Sequence, residues 1–101
     1  MPRETMAHYV VIGRWTEQGI KNVKGSVHRL QAFRKAVEAA GGKVHQFLYT
    51  MGPQDLVAIL EAPSDEVVNL VILKTAMQGN VHTVTSKAWT EAEFAKLEER
   101  L

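Results

Sequence analysis

The fold is decided by residues 44–61, Val44-His45-Gln46-Phe47-Leu48-Tyr49-Thr50-Met51-Gly52-Pro53-Gln54-Asp55-Leu56-Val57-Ala58-Ile59-Leu60-Glu61. Two runs of aromatic and branched residues flank Met51-Gly52-Pro53-Gln54, which is rich in turn formers. Strand, turn, strand is the reading: a hairpin with strands over Val44–Thr50 and Leu56–Glu61.

Helices are predicted on both sides of the hairpin. Upstream, Val27, Leu30, Phe33, Val37 and Ala40 fall on one helical stripe, Ser26 is placed to cap it, and Gly41-Gly42 ends it. Downstream, Ala62-Pro63 ends the strand and Ser64 caps a helix with Asp65 and Glu66 in its first turn, where the helix dipole favours negative charge. This helix is apolar nearly all round (Val67, Val68, Leu70, Val71, Ile72, Leu73, Ala76, Met77), more than one sheet face can cover. His8–Trp15 reads as a first strand and Val81–Thr85 as a fourth. Thr16–Gly25 is a polar connection that Ile20 and Val23 are expected to pin down. At the end, Thr90 and Glu93 form a capping box, Trp89 and Phe94 take the staple positions, and Phe94, Leu97 and Leu101 are expected to make its buried stripe.

The order is β-α-β-β-α-β plus a terminal helix. This predicts an α+β, ferredoxin-like sandwich with both main helices on one face of a four-stranded antiparallel sheet. Side-chain alternation puts Tyr9, Val11, Gly13 and Trp15 on one face and His8, Val10, Ile12 and Arg14 on the other. The same counting groups His45, Phe47 and Tyr49. Neither face is polar enough to be a solvated one, so the helix-free face is expected to pair with a second copy of the chain.

Composition bounds the rest. A chain of 101 residues suits a single domain over residues 1–101, with residues 1–5 a possible extension ahead of Met6. A net charge of +1, from 12 basic and 11 acidic residues, gives no general drive toward nucleic acid or anionic lipid. Without cysteine, thiol chemistry and disulfides are excluded, and a cytoplasmic setting is expected. No apolar run approaches the roughly 20 residues of a membrane span, so no membrane partner is expected.

His8–Asn22, Tyr49–Pro63 and Gly79–Phe94 together resemble the GYD-domain family, over roughly residues 6–98. The family pattern Gly-x-Tyr-Asp is met here by Gly52 and Asp55, with Gln54 at the tyrosine position. The resemblance implies a dimeric α+β barrel, in which two such sheets pack face to face. Similar folds include cofactor-free monooxygenases, small-molecule isomerases and haem-handling enzymes.

Candidate site residues follow from chemistry. Asp55 is either a base or ligand anchor, or a turn residue accepting backbone hydrogen bonds beside a positive-φ Gly52. His45, with Tyr49 and Asp55, is a candidate proton carrier. Tyr9, Trp15, Phe47 and Tyr49 can line an apolar ligand pocket or simply pack. Lys21, Lys24, His28 and Arg29 surround a helix start, as an anion site or as a solvated surface. No His-x-His or Glu-x-x-His spacing points to a metal, and no cofactor is expected; haem bound through His45 or His82 is a third reading. The leading expectation is a homo-oligomeric domain that binds a small molecule near the sheet interface. The alternative is a cofactor-independent oxygenase or isomerase acting on a small apolar or aromatic substrate, which requires His45, Tyr49 and Asp55 to converge on one cavity. Whether the chain is an enzyme stays open at this point.

Overall fold

A computed structural model describes residues 6–101; the expected extension at residues 1–5 lies outside them. Strands β1 (Ala7–Trp15), β2 (Lys43–Tyr49), β3 (Leu56–Ala62) and β4 (Val81–Ala88) form one antiparallel sheet in the order β2-β3-β1-β4. A short helix α1 (Glu17–Lys21) and a 3-10 turn precede helix α2 (Ser26–Ala39); α3 (Asp65–Met77) and α4 (Glu91–Glu98) complete the chain. This is the ferredoxin-like α+β arrangement expected from the hairpin outward.

The core lies between the sheet and the helices α2 and α3. Tyr9, Val11, Ala58, Leu60 and Ala62 point to it from the two central strands, and Val37, Val68 and Val71 meet them from the helices. The helix starts obey local chemistry: Ser64 Oγ accepts from Val67 N, and Thr90 with Glu93 makes the full capping box.

Four expectations are corrected. The connection after β1 is a helix, α1, whose cap Thr16 Oγ1 accepts from Gly19 N; Ile20 and Val23 remain exposed. Thr16 also donates through its hydroxyl to Gly79 O at 2.6 Å and through its backbone to Asn80 O at 3.0 Å. Polar contacts rather than apolar ones therefore hold this segment. Ser26 does not cap α2; it is its first residue, and its hydroxyl donates to Tyr49 Oη at 2.9 Å. The stripe of α4 is not buried within the chain as expected: Phe94 and Leu101 are exposed and Leu97 is half-buried.

The fourth correction moves a face. The β2–β3 register shifts between Val44 and Gln46, a bulge at His45. Val44, Phe47 and Tyr49 pair with Leu60, Ala58 and Leu56, so all three face the helices. His45 turns instead to the helix-free face with Gln46. A bulge inserts one residue into a strand and reverses the alternation beyond it, which strict counting from the sequence cannot register.

Candidate functional site

Tyr9, Trp15, Phe47 and Tyr49 do share a sheet face, as alternation predicts, but it is the face under the helices. The helix-free face carries Val10, Ile12, Val57, Ile59, Leu48 and Val84, and of these Leu48, Ile59 and Val84 are exposed within the chain.

Under the helices lies a cavity of about 240 Å³. Its floor is sheet: Val11, Phe47 and Ala58. Phe33 of α2 and Ile72 and Thr75 of α3 form its walls. One end is aromatic. Trp15 and Tyr49 stack with centroids 6.3 Å apart and planes 20° from parallel, and Phe47 tilts against Tyr49 at 5.2 Å. Tyr9 lies further along β1, outside this lining, and its hydroxyl donates to Asp65 Oδ1. Burial first, then this hydrogen bond, pushes the Tyr9 hydroxyl up to about 12, which makes it a structural donor and not a base.

The polar groups of the cavity sit beside the aromatic end. Ser26 and Tyr49 occupy each other through their hydroxyls. Arg29 enters from the second turn of α2. Its Nη1 donates to Asn22 O at 3.0 Å, while Nη2 is buried and has no hydrogen-bond partner among the described residues. A guanidinium is always charged, and a buried charged donor left unpaired is costly. The cavity is thus a largely apolar, aromatic-walled space whose lining includes two cationic residues, Arg29 and Lys74. Of the basic group at the start of α2, only Arg29 lines it.

Asp55 fills the turn role that the hairpin suggests. Its Oδ2 accepts from Trp15 N at 2.8 Å, its N–H donates to Gly13 O, and its carbonyl accepts from Thr50 N. Gly52 has φ of 107° with open space around it. Asp55 therefore anchors the strand that carries Trp15. His45, Tyr49 and Asp55 do not converge: His45 faces away from the helices, Tyr49 lines the cavity, and Asp55 holds backbone.

A second cluster, invisible to sequence spacing, lies on the helix-free face. Glu61, 2% exposed, is directly opposite His8 in the β1–β3 register, and the bulge brings His45 to its other side. Glu61 Oε1 is 3.4 Å from His8 Nε2 and 3.1 Å from His45 Nε2. The two imidazoles stack at 5.6 Å and 17°. Glu93 of α4 approaches His8 Nδ1 at 3.6 Å, its carboxyl held below the usual range chiefly by the Thr90 N–H. His82 is across from Arg14, at the other end of β1.

The family model of the GYD domain matches residues 9–97. No curated protein matches the chain in sequence. Several solved structures share the fold. MtbAldR aligns with a TM-score of 0.66 at 9% identity, over 85% of this chain and 55% of its own. LrpC of B. subtilis gives 0.58 at 18% identity, over 84% and 51%. TTHA0845 from Thermus thermophilus gives 0.51 at 22% identity, over 83% and 94%. The chain thus spans about half the length of the first two, and at these identities the likeness is one of fold. No described helix is long and apolar enough to cross a membrane.

Proposed function

We propose that this chain, which belongs to the GYD domain family, is a small-molecule-binding module whose ligand lies between the sheet and its two main helices. The observation that carries the reading is the cationic Arg29 side chain in the lining of a largely apolar cavity with an aromatic end. Sites for small molecules are mostly apolar with a few placed polar groups that fix orientation. The chemistry selects a small aromatic or apolar molecule bearing one carboxylate. Its ring stacks near Trp15 and Tyr49, and its carboxylate pairs with the Arg29 guanidinium through a charge-assisted hydrogen bond.

In the same reading the chain works as a cytoplasmic homodimer, the helix-free face of one copy covering that of the other. Supporting this are the exposed Leu48, Ile59 and Val84 on that face. An oxygenase or isomerase reading loses its motivation, because the side chains it needs lie on different faces. The test is a titration with benzoate and phenylacetate followed by Trp15 fluorescence in a Trp89→Phe background. Quenching that saturates in the parent and is weakened at least about tenfold by Arg29→Met, the loss of one charge-assisted hydrogen bond, supports the reading. Equal quenching in both proteins overturns it.

A further inference from the structure

We propose that His8, His45 and Glu61 form a binding site for a divalent transition-metal ion of the zinc class on the helix-free face of the sheet. The three residues come from three strands and carry the donor set that such ions prefer, two imidazole nitrogens and one carboxylate. Their candidate ligand atoms all lie within 4.8 Å of one another. Two ligands at zinc-like bond lengths around a tetrahedral centre are separated by about 3.4 Å. The observed His8–Glu61 and His45–Glu61 separations, 3.4 and 3.1 Å, are already close to that edge.

Two independent features make this more than proximity. The first is the β2 bulge. Regular pairing counted back from Phe47 and Ala58 would place His45 under the helices; the extra residue leaves it on the face that carries Glu61. The second is His8. With Nε2 toward Glu61, its Nδ1 is buried, makes no hydrogen bond among the described residues, and has Glu93 Oε1 as its neighbouring carboxylate at 3.6 Å. Metal-binding histidines commonly offer their other ring nitrogen to a carboxylate, which fixes the tautomer and orients the ring. Glu93 is fixed for this by its capping box with Thr90, so the start of α4 acts as the outer support of the site. The His8 and His45 side chains are 21% and 28% exposed in the single chain, which leaves a coordination position for a further ligand. The cluster and the cavity are on opposite faces of the sheet, so this proposal and the ligand proposal fail separately.

The test uses tag-free chain, stripped with a chelator and titrated with Zn(II) by calorimetry. Co(II) serves as a spectroscopic probe of four-coordinate geometry. The expected result is one ion per chain at submillimolar concentration, with intense visible Co(II) bands. His45→Gln, on an edge strand, and Glu61→Gln should each weaken binding by about tenfold or more, and Glu93→Gln by about 10–100-fold. His28→Gln and His82→Gln should bind as the parent does. Melting curves taken without metal identify any variant that has not folded, and His45→Gln then decides alone. No Zn(II) heat in the parent overturns the proposal and leaves a proton-held cluster only. So does unchanged affinity in folded His45→Gln.

Discussion

Ala58→Ile tests the cavity from its floor. Ala58 is 1% exposed, lies between Val11 and Phe47 in the sheet register, and lines the space under the helices. The substitution adds three carbon groups, worth about 2.4 kcal/mol at ~0.8 kcal/mol each on burial. Fixing the longer side chain returns roughly 0.5–1 kcal/mol. Isoleucine also suits a central strand. A cavity of about 240 Å³ is several times the roughly 30 Å³ share of a liquid water molecule, so the added groups enter without moving the walls. The net gain is about 1.5 kcal/mol, a rise in Tm of roughly 5–10 °C for a domain of this size. Calorimetric melts of the ligand-free protein read this directly. The same variant should lose the carboxylate response of Trp15. A fall in Tm would refute the reasoning, because in a filled core the same insertion costs about 1–3 kcal/mol.

Other consequences are as specific. The Tyr9 hydroxyl is ordinarily near 10.0 and is pushed up to about 12 in the fold. A raised folded value gives stability that is complete below pH 10 and lost as pH rises toward 12, worth at most about 2.7 kcal/mol. Tyr9→Phe should flatten the alkaline limb of a denaturant-midpoint profile; an unchanged limb counts against the Tyr9–Asp65 bond. Thr90→Ala removes the α4 cap and should cost about 1 kcal/mol in urea melts. Gly19→Ala places a Cβ 1.8 Å from the Asn80 carbonyl oxygen. Backbone must move there, so the variant should melt well below Gly52→Ala, whose only burden is a φ of 107° in open space. Val84→Glu puts a charge on the exposed helix-free face and should break the proposed dimer into monomers in sedimentation.

How much is legible in the sequence follows the range of the forces involved. The capping box at Thr90 and Glu93, the Ser64 cap and the Gly52 turn are local chemistry, and the sequence states each of them. The hairpin and the helical stripe then force the strand order. Ser26 has the right type for a cap, yet its hydroxyl is taken by Tyr49, 23 residues away. Both faces of β1 are apolar, so alternation groups Tyr9 with Trp15 but does not say which face the helices choose. The bulge at His45 depends on pairing with β3 and leaves no trace in the spacing. The His8–His45–Glu61 cluster is assembled across three strands, so metal-ligand spacing along the chain is blind to it. The unpaired Arg29 nitrogen likewise emerges only once Asn22 has taken its neighbour.

The central claim is that the ligand site lies under the helices and not on the open sheet face. Backbone and indole amide shifts of 15N-labelled protein, followed through a titration with phenylacetate, place the ligand directly. The account predicts saturable shifts at the Trp15 indole, Ser26, Ala58 and Thr75, with Val10, Ile12 and Ile59 still. Shifts concentrated at Val10, Ile12 and Ile59, with Ala58 and Thr75 unmoved, would contradict it.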